Sequence, residues 1–309
     1  MATKRWLCGA GLLVLAACAT ASVPATPIAG LRAGPSAEDQ LRALNAMCRG
    51  DAGLTADYTK DLKRVAGMGT GGFKADTTSA EAQAWFDYGL QLSHAFYHDD
   101  AIVAMRKAVE ADPACATCAW GEAWTMGPTL NYGIDEDKRV KALAAADRSR
   151  SLVKAGDDLT LRLAEALQAR YARSETSTEP AFGLAMKAIA DSRPDNLELA
   201  VLSTHALLIP LRRDNRDGLD PALAMLEAVL AKTPNDTGAI HYYIHATEFA
   251  GRATDALPYA DRLGELAPAA SHLVHMPAHT FFPAGRYQDA AIVNAEAIAT
   301  DAAWFDQGG

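Results

Sequence analysis

The chain has 309 residues, a formal net charge of −9 and half of its residues apolar. That length and apolar content can bury a substantial core, while the acidic balance excludes nucleic acid as a partner, because phosphate backbones are held by clustered Lys and Arg. Abundant alanine with only 7% aromatic residues suits closely packed helices better than sheets, so the expected fold class is all-α.

The first segment is expected to be a targeting signal rather than part of the fold. Lys4 and Arg5 precede an apolar stretch, residues 6–17, in the pattern of a secretory signal. Leu15-Ala16-Ala17-Cys18 resembles a bacterial lipobox. The resemblance implies that residues 1–17 are removed and that Cys18 becomes the lipidated first residue, tying the protein to a membrane through its lipid. Ala19 rather than Asp after that cysteine implies the outer membrane, with the protein facing the periplasm. The bland alternative is an ordinary signal peptide with a chance cysteine. Residues 18–35 are small, Pro-rich and unpatterned, as in a flexible tether. Beyond residue 25 no stretch is long and apolar enough to span a bilayer.

Residues 36–79 read as an N-terminal helical segment. Ser36 can cap a helix through Leu41, Leu44 and Met47, and GMGTGG at 67–72 breaks the pattern. From residue 80 to 309 the chain reads as an array of helix–turn–helix units. Pro234/Pro268 and Ala256/Ala290 each recur at an offset of 34, and so do His241/His275 and His245/His279. Further units are placed at 158–194, at 197–234 with a polar insertion at 212–218, at 237–268 and from Ser271 onward.

Trp85, Gly89, Ala101, Ala108 and Pro113 match the large-small-small-Pro spacing of a tetratricopeptide repeat, and the resemblance covers roughly residues 80–300. It implies a superhelix whose concave groove holds a peptide or protein partner. The sixth unit lacks an evident solvating cap helix after it.

The histidines carry the functional expectation. On a helix, residues i, i+4 and i+7 share a face, so His241, His245 and Glu248 present two imidazoles and a carboxylate together. His272, His275 and His279 follow one repeat later, and phasing from Pro194 adds His205 at the position of His245 and His279. Helices packed 8–10 Å apart let imidazoles from two of them share an ion. The expected metal ligands are therefore His241, His245, Glu248, His275, His279 and His205, with copper or zinc as the metal. The competing reading is a metal-free scaffold whose groove histidines hydrogen-bond a bound peptide. Pro277, between two of the histidines, either kinks its helix or starts one. His94 and His98 fall out of phase with the column and read as a helix end and turn.

Cys115 and Cys118 stand at the start of a helix after Pro113. A structural disulfide fits best, with a metal site or a redox pair as alternatives, and Cys48 leaves the count odd. The strings HYYIHATE (241–248), HMPAHTFF (275–282) and CATCAWGEAW (115–124) resemble a bacterial group of tetratricopeptide proteins that pairs a Cys/Trp-Gly segment with His-rich motifs. The resemblance implies one shared site and names no reaction. HYYIH lacks the glutamate of a zinc-protease helix, and no Walker loop, nucleophile elbow or dinucleotide fingerprint is present. Trp120, Trp124 and Tyr132 are expected in the core before the groove.

Overall fold

The computed structural model describes residues 62–212 and 215–306. The expected first helix, the signal, the tether, Cys18 and Cys48 lie outside the described residues. Within them the chain is all-α, a superhelix of stacked helical repeats with no β-strand.

Six helical units follow one another. Helices α1 (Ala80–His94) and α2 (His98–Ala111) form the first, α3 (Ala116–Thr125) and α4 (Glu136–Leu152) the second, and α5 (Asp158–Tyr171) and α6 (Glu179–Asp191) the third. Then come α7 (Leu197–Leu208) with α8 (Leu219–Lys232), and α9 (Thr237–Ala250) with α10 (Leu257–Leu266). The last unit has a split first helix, α11 (Ser271–His275) and α12 (Pro277–Phe281), followed by α13 (Tyr287–Asp306).

The sequence sets these starts locally. Two residues after Pro113, Pro194 and Pro234 stand Cys115, Asn196 and Asp236. Each is an N-cap whose side chain accepts a backbone N–H three residues on. The asparagine and aspartate caps each contribute about 1 kcal/mol to starting their helices. The split in the last unit falls at Met276, directly before Pro277, whose missing N–H cannot continue the ladder. Both effects foreseen for Pro277 occur together: a break, and a new helix that begins on the proline.

The superhelix closes on itself. Helix α9 packs on α7, on α12 and also on α1 of the first unit. Tyr97 at the α1–α2 turn accepts the backbone N–H of Ser271, and its ring lies 4.9 Å from that of Trp304. Residues 62–79, placed by the sequence in a helical segment, carry no helix and instead run as a strap over this junction. The N–H of Thr70 donates to Thr237 Oγ1 (2.7 Å), the N–H of Thr237 donates back to Thr70 Oγ1 (2.8 Å), and Ala269 N–H donates to the Gly67 carbonyl. Gly69 has φ 95°, and a Cβ there would stand 2.4 Å from Thr237 Oγ1, so no other residue brings the strap this close.

Candidate metal centre

Three first helices of the array converge where the superhelix closes. Helix α9 supplies His241, His245 and Glu248, α11 supplies His272 and His275, α12 supplies His279, and the end of α1 supplies His94 and Phe96.

His241 is fully buried and central. Its Nδ1 lies 2.6 Å from the carbonyl oxygen of His94. A carbonyl only accepts, so Nδ1 carries the proton and Nε2 is left with a lone pair. That Nε2 stands 3.1 Å from His245 Nε2 and 3.1 Å from His272 Nε2. Among the described residues these three form a group whose donor atoms all lie within 4.8 Å of one another, a spacing that can hold a metal ion. At the 2.0–2.1 Å bond length of zinc to imidazole, nitrogens 3.1 Å apart subtend about 100° at the metal, within the range of tetrahedral ligation. A ligand whose other ring nitrogen donates to a carbonyl has its tautomer and ring plane fixed before the ion arrives.

Burial keeps these imidazoles neutral. It pushes His241 and His272 well below the ordinary histidine range, with the neighbouring imidazoles adding to the effect. His245 is pushed down to about 4 by burial and then by His279. Each ring therefore carries one N–H rather than two at neutral pH, which leaves one of its nitrogens with a lone pair.

A second pair sits beside the triad. His275 Nε2 and His279 Nε2 are 3.1 Å apart. The ring of His279 lies 5.7 Å from that of His245, and the ring of His275 lies 5.9 Å from that of His272. Glu248 does not point its carboxylate at the triad; it accepts from His279 Nδ1 at 3.0 Å, and that hydrogen bond lowers its own pKa.

The structure places the remaining sequence candidates differently from one another. His205 stays out of the cluster of facing nitrogens. Its ring stacks on Tyr242 at 5.0 Å and meets Trp124 at 5.7 Å, and both of its nitrogens are buried without a hydrogen-bond partner among the described residues. Its helix, α7, packs on α9, but the ring faces this aromatic wall rather than the ion position. His272 takes the place that phasing gave to His205.

His94, read from sequence as peripheral, is 1% exposed at the centre. Its Nε2–H donates to Glu198 (2.6 Å) and its Nδ1 meets the Tyr242 hydroxyl (3.1 Å). Burial is the largest single influence and would depress its pKa, but the charge and hydrogen bond of Glu198, with the charge of Asp236, together hold it above the ordinary value. His98 opens α2, and burial pushes its pKa down to about 4, with Lys138 adding to the effect.

Phe96 was not foreseen. Its ring stacks on His272 at 4.6 Å, meets His241 edge-on at 4.5 Å and lies 6.0 Å from His245. It holds φ 62°, the only non-glycine left-handed residue among those described. The same turn recurs in the repeat. After α9, Gly251 has φ 73° and Arg252 N–H donates to the Thr247 carbonyl; after α12, Gly285 has φ 78° and Arg286 N–H donates to the Phe281 carbonyl. After α1, Tyr97 N–H donates to the Leu92 carbonyl in the same way, with Phe96 where the later units have glycine. Only a left-handed residue at this point turns its side chain back over the imidazoles. Aligning Phe96 with Gly251 and Gly285 was the available signal.

Cys115 and Cys118 are joined in a disulfide across the first turn of α3. Trp120 and Trp124 are buried, as expected for core residues, whereas Tyr132 is exposed. No protein-family model matches this sequence, and no curated protein matches it either.

Proposed function

We propose that this protein is a metal-binding protein of the bacterial cell envelope, built on tetratricopeptide-like repeats. It binds copper or zinc through His241, His245 and His272. The observation that carries the reading is the meeting of three Nε2 atoms at one point, with His241 Nδ1 pinned by the His94 carbonyl so that its lone pair faces inward.

Three neutral imidazoles with no carboxylate among them suit a borderline-soft divalent ion better than Mg²⁺ or Ca²⁺, which take oxygen ligands. The placement in the envelope rests on the signal-like start, the lipobox-like Cys18 and the Cys115–Cys118 disulfide, which persists in oxidising compartments. A metal-free scaffold that grips a peptide has weaker support, since Phe96 and Tyr242 fill the space around the histidines.

Metal content measured by mass spectrometry on the purified protein tests the reading. Copper or zinc is expected to be bound, with occupancy falling in His241→Ala and His272→Ala and unchanged in His205→Phe. A protein that stays empty when offered both metals overturns it.

A further inference from the structure

The second histidine pair has its own hydrogen-bond logic. His275 Nδ1 lies 2.6 Å from Asn294 Oδ1. The Asn294 amide is oriented by its own Nδ2, which donates to the Ala290 carbonyl at 2.7 Å, so the atom facing His275 is the acceptor. His275 Nδ1 therefore carries a proton. Across the gap, His279 Nδ1 donates to the Glu248 carboxylate. With Nδ1 the donor on each ring, the two Nε2 atoms are left facing each other at 3.1 Å, where a neutral ring in this tautomer presents a bare lone pair. Acceptors cannot bond each other, so two lone pairs at this distance lack the donor that each requires. The arrangement calls for a positive occupant between them.

We propose that His275 and His279 hold a second transition-metal ion, separate from the one in the triad. One ion cannot serve both groups. The triad is the set whose donor atoms all lie within 4.8 Å of one another, and His275 and His279 fall outside it. The spacing within the pair equals that within the triad, so each group frames one ion at about 100° between nitrogens. The outer ion has two protein imidazoles, and the rest of its coordination faces solvent. The His279 side chain is 30% exposed and that of Glu248 48%, whereas His241 is fully buried. The carboxylate behind His279 and the amide behind His275 are the outer partners that fix a metal-bound imidazole and raise its basicity. The outer ion therefore exchanges with solution, and the inner ion is held.

The inference rests on the triad reading for the class of metal alone. The test is equilibrium dialysis of the apoprotein against Cu(II) and, separately, Zn(II), with bound metal counted per chain. The wild type is expected to take up two ions. His275→Phe and His279→Leu, both at partly exposed positions, are expected to take up one, and so is His241→Phe, or His245→Phe should the buried variant not fold. One ion in the wild type, unchanged by His279→Leu and lost in His245→Phe, overturns the second site and leaves the triad reading standing, with a shared proton bridging the pair. One ion lost only with His279→Leu overturns the triad reading instead and supports the pair. No bound metal overturns both.

Discussion

Replacing Phe96 separates the backbone and side-chain parts of the design at the centre. A bulky L-residue in the left-handed region costs roughly 1–2 kcal/mol, which Phe96→Gly relieves. Against that, the substitution removes a ring packed among His98, His241, His245 and His272. Full truncation of a buried phenylalanine costs about 3–5 kcal/mol, and the partial exposure of Phe96 brings the loss to roughly 2–4 kcal/mol. The net expectation for Phe96→Gly is a destabilisation of about 1–2 kcal/mol. Phe96→Ala loses the ring and keeps the strained backbone, so it should be less stable than Phe96→Gly by about 1 kcal/mol, the reverse of the usual ranking of alanine above glycine. Urea unfolding of the metal-free proteins, compared at constant m-value, reads these differences directly. The order wild type, then glycine, then alanine is predicted. A glycine variant more stable than wild type would show that the ring contributes nothing, and an alanine variant matching glycine would remove the strain from the account.

Three further outcomes follow from contacts elsewhere. At Gly238 on α9, a Cβ would stand 3.0 Å from His94 Cγ and 3.2 Å from Val201 Cγ1. Overpacking at about 1–3 kcal/mol should therefore exceed the gain of about 1 kcal/mol from helix propensity, so Gly238→Ala is expected to lower the unfolding midpoint, and a raised midpoint would contradict this. Asp87 has its pKa raised to about 6 by burial, against the Gln83 hydrogen bond. A carboxyl whose folded pKa lies above its unfolded value favours folding most below about pH 4, and that contribution is lost as pH rises through 6. Asp87→Asn should thus stabilise the protein by about 1–2 kcal/mol at pH 8, after allowance for solvent screening, and leave it unchanged at pH 4; equal effects at both pH values would refute the assignment. Removing the Cys115–Cys118 bridge by the double serine change frees a loop closed over a sequence separation of 3, worth about 2 kcal/mol of unfolded-state entropy, and an unchanged denaturation midpoint in oxidised and double-mutant protein would refute that value.

Much of the fold was legible because repeats write their own period. The prolines at 113, 194, 234 and 268 each stand just before a first helix, and the 34-residue offset of the histidine pairs placed α9 beside α11 and α12. The site was legible in part. His241 and His245 follow from helical spacing alone, and Pro277 advertised its break. What escaped was everything that depends on closure of the superhelix. The contact of α1 with α9 is set by how much each repeat rotates on the last, a small angle accumulated over several units that no local pattern records. That closure brings the His94 carbonyl to His241 and turns Phe96 over the imidazoles. His205 kept its register, but position along a helix does not fix which neighbours a ring meets, and here those are Tyr242 and Trp124. Glu248 lay on the expected face yet reaches an imidazole rather than an ion, because a carboxylate next to an Nδ1–H finds its partner there first.

X-ray absorption of the protein loaded with one equivalent of Zn(II) or Cu(II) addresses the central claim most directly. The account predicts a first shell containing three imidazole nitrogens at about 2.0–2.1 Å, with the outer-ring scattering typical of histidine, and loss of one such nitrogen in His272→Ala. A first shell of oxygen or sulfur without imidazole scattering, or a spectrum unaltered by His272→Ala, would contradict it.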